Sequence, residues 1–199
     1  MTAASVEDLA RACEAVGDLI AKIRPEHWKA PTPCAEWNVR DVVNHLVGMD
    51  LVFAALIEGG PMPERGANLL GDDPVGACRA SGASLQAAFS RPGVLERSYR
   101  GPLGSATGAE RLQIRLYDLL AHGWDLARAT GIPARLPEDL AEQALAFVQV
   151  QLSPQSRTGR FAEPHPVEET APAVRTVARD GASRRAVLRT AMASGCVIC

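Results

Sequence analysis

Aromatic side chains are scarce in this sequence, at 5% of 199 residues. A core with so few rings must be built mainly from alanine, leucine and valine, and hydrophobic residues of all kinds still make up 47% of the chain. Charged residues make up 22%, which is ordinary for a globular protein. The length suits one domain with a sizeable core, or one domain followed by a tail.

An excess of positive charge is also absent, since the formal net charge is -2 and the isoelectric point is near 6.1. Without a basic field we expect no nucleic-acid partner. The longest apolar run, residues 51–57, is far shorter than the roughly 18 residues that span a bilayer. The first residues carry neither the basic nor the apolar region of a signal peptide. We therefore expect a cytoplasmic protein with no membrane partner.

The five cysteines lack the regular, even-numbered pattern of a small disulfide-rich domain. Cys13, Cys34 and Cys78 lie far apart, and the default interpretation is that they are reduced and structural. Cys196 and Cys199 form a C-x-x-C pattern, but the strand-to-helix context of a thioredoxin-like redox motif does not precede them.

Apolar residues recur at helical spacing through most of the chain, and no alternating strand pattern of convincing length occurs. Ser5 with Asp8, and Asn38 with Asp41, have the form of capping boxes that start helices. Gly131 suits the position after a helix end. These signals predict helices over about residues 5–24, 38–57, 74–89, 109–130 and 137–152. Residues 91–108, interrupted by prolines and glycines, are predicted to be irregular.

Two of the four histidines fall inside the most apolar predicted helices, His45 in the second and His122 in the fourth. Asp118 precedes His122 by four residues, so on a helix the two side chains lie on one face, one turn apart. That spacing lets a carboxylate and an imidazole bind one ion. A third ligand from another helix would complete a site of two histidines and one carboxylate with open positions.

A plainer interpretation competes with the metal site when spacing alone is considered. His45 alone is more often a histidine hydrogen-bonded at the edge of a core. Asp41, one turn before it, is equally suited to cap the helix or to fix the His45 tautomer. Polar residues at helical spacing in the fourth helix are usually its solvated face; they are Arg111, Arg115, Asp118, His122 and Asp125.

Two blocks of the sequence resemble one known family. Residues 31–48, PTPCAEWNVRDVVNHLVG, resemble the N-terminal signature of the mycothiol-dependent maleylpyruvate isomerase-like family, and residues 118–131, DLLAHGWDLARATG, are similar to its metal helix. That family belongs to the DinB/YfiT-like metal-binding proteins. The resemblance implies an all-α, DinB-like four-helix bundle with long crossover loops over residues 1–160. Residues 170–199 do not follow the family's C-terminal pattern. The end of the chain is rich in proline and arginine and shows no clear amphipathic repeat, so we expect residues 161–199 to form a divergent tail that is poorly packed or mobile.

The resemblance also implies a ligand set. In the family, one histidine on the second helix and an acidic-x-x-x-His pair on a later helix bind the metal, and these positions fall on His45, Asp118 and His122. The isomerase itself has glutamate at the acidic position, one methylene longer than Asp118. The implied ion is zinc, with nickel and iron as alternatives.

The activity that the resemblance implies is that of a metal-dependent thiol transferase or isomerase. It would act with a low-molecular-weight thiol such as mycothiol on an electrophilic substrate, with Asp125 or Arg115 orienting that substrate. The rival hypothesis is a non-catalytic metal-binding or stress-associated bundle in which the ion is structural. Assembly as a homodimer stays open.

Overall fold

The computed structural model describes residues 4–34, 37–101 and 104–151, and most of them lie in five helices. The predicted tail over residues 161–199 lies outside the described residues. The helices are α1 (Val6–Ile20), α2 (Val39–Glu58), α3 (Pro74–Phe89), α4 (Gly108–Thr130) and α5 (Glu138–Gln151), with strands β1 (Ser98–Gly101) and β2 (Gly104–Thr107) between α3 and α4.

The two predicted capping boxes are confirmed. The Ser5 amide donates to Asp8 Oδ2 at 2.9 Å, and the Asp8 amide donates to Ser5 Oγ at 3.1 Å. Asn38 and Asp41 make the same reciprocal pair at 2.9 and 3.1 Å. Asp41 is thus occupied in capping α2, the first of the two roles that its position allowed.

Helix α1 ends at Ile20 rather than at about Arg24. The amides of Lys22 and Ile23 donate to carbonyls three residues back, at 3.1 Å each, so the chain tightens from α-helical to 3₁₀ spacing before the proline. Pro25, which has no N–H to continue the helix, then begins a single 3₁₀ turn over Pro25–His27.

Residues 91–108 are not wholly irregular, and this part of the prediction was wrong. Strands β1 and β2 form an antiparallel hairpin in which Gly101 lies opposite Gly104. Each strand has only four residues, too few for an alternating pattern to be visible in the sequence. Thr107, at the end of β2, caps α4 by accepting from the Glu110 amide at 3.2 Å.

The helices pack around one hydrophobic core that is mainly aliphatic, as the composition predicted. Helix α2 packs against α3 and α4, α1 packs against α3 and α4, and α5 packs against α4. None of the helices in the described ranges is long and apolar enough to cross a membrane. Because α2 lies directly against α4, polar residues on their facing sides meet inside the bundle. The largest completely buried apolar side chains include Leu9, Leu19, Ile20, Leu46, Leu85, Phe89, Leu112, Leu116, Leu120 and Leu126.

Candidate metal centre

The polar stripe of α4 is buried rather than solvated, so the plainer interpretation of that stripe was wrong. The exposed fraction is at most 4% for every member. The reason is the position of α4, which α1, α2 and α5 all contact. Buried ionisable groups are expensive unless they pair or bind a cation, so the partners of this stripe decide its role.

His45, Asp118 and His122 lie together where α2 meets α4. His45 Nε2 is 3.3 and 3.2 Å from the two oxygens of Asp118. His122 Nε2 is 3.5 Å from Asp118 Oδ1. One ligand atom from each of the three residues lies within 4.8 Å of the others. The two imidazole rings meet edge to face, with centroids 4.9 Å apart. The structure therefore brings together the three residues that the sequence singled out.

The donor set suits a divalent transition metal. A carboxylate can only accept, so a proton or a cation must lie between Asp118 and each facing imidazole nitrogen. Metal–ligand bonds of about 2.0–2.2 Å place tetrahedral ligand atoms roughly 3.3–3.6 Å apart. The three measured separations from Asp118 are close to this range, so these pairs need little movement to hold an ion.

Asp125 fixes the orientation of the His122 ring. Its Oδ2 lies 3.0 Å from His122 Nδ1, on the side of the ring away from Asp118. Since the carboxylate accepts, Nδ1 carries the proton in this arrangement and Nε2 is left to face Asp118. A carboxylate behind a metal-binding histidine has this effect in many metal sites, where it sets the tautomer and raises the basicity of the ligand nitrogen.

Arg115 contacts Asp118 beside the cluster, and the Arg115 side chain is completely buried. Its Nη1 donates to Asp118 Oδ2. Its Nε and Nη2 donate to Asp50 Oδ1 at 2.9 and 2.7 Å, and Nη2 also reaches the Leu46 carbonyl at 2.8 Å. Ser81 donates to the other oxygen of Asp50 at 2.8 Å. Asp118 is therefore fixed through a network that extends from α4 to α2 and α3.

The ionisation of Asp118 follows from these neighbours. Burial by itself raises the pKa of Asp118, but the nearby His45, His122 and Arg115 lower it more, so the pKa lies well below its usual value. Asp118 is thus a carboxylate at neutral pH. It offers a full negative charge to whatever lies between the two histidines.

The buried charges around the cluster are unbalanced. Asp50, Asp118 and Asp125 are buried, and Arg115 is the guanidinium that contacts two of them, which leaves a formal charge of -2 with neutral histidines. Arg111 is also buried, but its guanidinium donates to two carbonyl groups of the hairpin. Either one divalent cation or a proton on each histidine restores neutrality.

The loop before α2 places an aromatic ring against the cluster. The Thr32 amide donates to the Trp37 carbonyl at 3.1 Å, and the Thr32 hydroxyl donates to the same carbonyl at 2.9 Å, which closes the loop. The Trp37 ring is 5.1 Å from that of His45 and 6.1 Å from that of His122, measured between centroids. The Trp37 ring therefore lies beside both imidazoles.

Cys34, from the same loop, lies beside His122, and sequence reasoning missed this. Its Sγ is 3.0 Å from Asp125 Oδ2 and 3.6 Å from His122 Nδ1. Burial raises the pKa of Cys34 to about 11 although His122 lowers it, so the group is a thiol at neutral pH. No linear spacing relates residues this far apart in the chain. The only available signal was that Cys34 falls inside the block that resembles the family.

The fold and the site together define a class of protein: a helical bundle with a buried cluster of two histidines and one carboxylate. Residues 9–127 match the family of the mycothiol maleylpyruvate isomerase N-terminal domain. The chain belongs to this family, as its two sequence blocks predicted.

Known proteins similar to the chain agree with this assignment. An uncharacterized protein of Mycobacterium tuberculosis, matched in two strains, is 34% identical over 151 residues, which is 74% of this chain and 79% of that protein. The crystal structure of the mycothiol-dependent maleylpyruvate isomerase matches with a TM-score of 0.59 at 16% identity, covering 75% of this chain and 72% of the isomerase. A mutant of that isomerase matches equally well, at 15% identity. The likeness confirms the predicted all-α, DinB-like fold.

Proposed function

We propose that this chain is a metal-dependent thiol transferase or isomerase. It holds one divalent ion, zinc in the first place and nickel or iron as alternatives, between His45, Asp118 and His122. It acts with a mycothiol-type thiol on an electrophilic small molecule. The observation that carries the proposal is the meeting of these three ligand groups, from two helices, within 4.8 Å in the interior of the bundle. Membership of a family named after a mycothiol-dependent isomerase supports the thiol and the reaction class.

The residues of the chain have distinct tasks in this proposal. When bound, the ion supplies Lewis acidity at an open coordination position, which lowers the pKa of a thiol and so favours the nucleophilic thiolate. Arg115 keeps Asp118 oriented and ionised, and Asp125 keeps the proton of His122 on Nδ1. His45 is the most accessible of the three ligand residues, with 11% of its side chain exposed against 1% for Asp118. A thiol therefore approaches past His45.

The rival hypothesis, a structural ion, requires a closed coordination shell. Structural zinc sites have four protein ligands, whereas catalytic sites keep a position open. Within the described ranges, the group around Asp118 contains three ligand residues. Cys34 does not close it, because its sulfur faces Nδ1 of His122 and the cluster uses Nε2. Three protein ligands, one fewer than in a structural zinc site, favour a site with an open coordination position.

A thermal-shift titration tests the proposal. The zinc-loaded and metal-free proteins are each titrated with mycothiol while the melting temperature is recorded. Ligand at 100 times its dissociation constant stabilises the native state by about 2.7 kcal/mol. For a chain of this size that corresponds to a rise of roughly 5–11 °C. The loaded protein should show this rise and the metal-free protein should not.

Two variants control the titration. His122→Ala should abolish the response, because it removes a ligand. His27→Ala should keep it, because His27 lies in the 3₁₀ turn outside the cluster. An equal response of the loaded and metal-free proteins would contradict the transferase hypothesis and leave the structural ion in its place.

A further inference from the structure

The other face of the His122 ring has its own set of ligand groups. Cys34 Sγ lies 3.0 Å from Asp125 Oδ2 and 3.6 Å from His122 Nδ1, and these last two atoms are 3.0 Å apart. One ligand atom from each residue lies within 4.8 Å of the others. Zinc bonds of about 2.0–2.3 Å to oxygen, nitrogen and sulfur place tetrahedral ligand atoms roughly 3.3–3.7 Å apart. The triangle needs only a few tenths of an ångström of expansion to hold an ion.

A second observation points to a ligand at this triangle. Asp125 is 2% exposed, and its Oδ1 is buried without a hydrogen-bond partner in the part of the chain that the structure describes. A buried carboxylate oxygen without a partner costs free energy, which a cation would recover by coordination. Asp125 Oδ2 already accepts from the Cys34 thiol and from His122 Nδ1, so Oδ1 is the oxygen of this carboxylate that has no partner among the described residues.

We propose that Cys34, Asp125 and His122 Nδ1 form a second metal position, which a soft divalent ion occupies instead of the first. The two positions exclude each other because a neutral imidazole has one lone pair. An ion at Nε2 leaves the His122 proton on Nδ1, where it is donated to Asp125. An ion at Nδ1 leaves that proton on Nε2, which is 3.5 Å from Asp118 Oδ1.

No atom changes its oxidation state when the ion occupies the second position instead of the first. The Cys34 S–H bond breaks, its proton passes to solvent, and a sulfur–metal bond forms. The His122 proton moves from Nδ1 to Nε2 through solvent. The resulting set of one thiolate, one carboxylate and one imidazole suits soft ions such as Cd²⁺, whereas the set with two imidazoles suits Ni²⁺. The softness of the ion thus selects the position, with one ion per chain in either case.

Cadmium and nickel titrations of the metal-free protein test this selection. The full-length chain carries Cys196→Ser and Cys199→Ser, so that the C-x-x-C pair cannot bind cadmium; we call it the tail-serine chain. Cd²⁺ should produce the ultraviolet thiolate-to-cadmium band, saturating at one equivalent. Cys34→Ser should abolish the band, and His45→Ala should keep it.

The matched controls use the same chain. Cys13→Ser removes a partly buried thiol of α1 and should keep the cadmium band. Ni²⁺, followed by calorimetry, should bind at one equivalent, survive Cys34→Ser and be lost in His45→Ala. Circular dichroism of each variant checks that it folds. Loss of nickel binding with the cadmium band intact would contradict the proposed function and not this inference.

Three results would overturn the inference. The first is a cadmium band that survives Cys34→Ser, and the second is binding of Cd²⁺ without any thiolate band. The third is one equivalent of cadmium bound to the nickel-loaded protein while the nickel stays in place, because that would show the two positions to be filled together rather than in exchange.

Discussion

Arg115 is the residue whose replacement should most damage both the fold and the cluster. Arg115→Met keeps an unbranched, largely apolar stem, although a shorter one, and removes the charge. Asp50 then loses donors at 2.9 and 2.7 Å, and Asp118 loses its contact with Nη1, all in the interior. Removing one partner of a buried ion pair costs about 3–5 kcal/mol, because the remaining charge is left uncompensated.

That cost is a large part of a domain's stability, which is about 5–15 kcal/mol. The melting temperature of the metal-free protein should fall by roughly 6–20 °C. The loss should be smaller with zinc bound, because the cation compensates Asp118. Combining Arg115→Met with Asp50→Asn should cost less than the sum of the single changes, with a coupling of about 0.5–3 kcal/mol.

Urea unfolding followed by tryptophan fluorescence, with and without zinc, measures these differences. Arg11→Met is the matched control, since Arg11 pairs with Asp139 at 2.8 and 2.9 Å on the surface and should contribute little. If Arg115→Met were as mild as Arg11→Met, the buried guanidinium would not be what compensates Asp50 and Asp118, and our account of the network would be refuted.

Two further predictions concern acid and packing. The pKa of Asp118 is lower in the folded than in the unfolded chain, so its contribution to stability is complete above the unfolded value of about 3.9 and is lost as the pH falls through the folded value. Asp118→Asn should therefore reduce the loss of stability at acid pH in urea titrations of the metal-free protein. An unchanged loss would contradict the lowered pKa of Asp118. Gly123→Ala places a Cβ 3.0 Å from Leu136 Cδ2 and 3.1 Å from Val16 Cγ2. Thermal unfolding should therefore show a loss of stability of about 1–3 kcal/mol, with unchanged metal content per folded chain. Full retention of stability would refute the close packing around Gly123.

Local signals were sufficient to predict the helices. Ser5 and Asn38 cap α1 and α2 through residues only three positions away, and Gly131 ends α4 with a φ of 70°. Such interactions are complete within one turn of chain, so a single sequence contains all the partners. The hairpin was not predicted, because strands of four residues show no periodicity and because its stability depends on packing against α2 and α4.

The environment of the site depended on partners far away in the sequence. Asp118 and His122 were recognisable as a pair because they are one helical turn apart. His45 joined them through the resemblance to the family. The burial of Arg115 could not be predicted, because it requires Asp50 from α2, which no spacing on α4 reveals. The proximity of Cys34 to His122 requires the loop before α2 to fold back across α4.

The proposed function depends on one divalent ion held between His45, Asp118 and His122. To measure that ion, the metal-free tail-serine chain is loaded with Ni²⁺, free metal is removed by desalting, and nickel per chain is determined by plasma mass spectrometry. We predict one nickel per chain, retained in His27→Ala and lost in both His45→Ala and His122→Ala. Equal nickel contents in the three histidine variants, or no nickel in the parent chain, would show that these residues do not hold the ion.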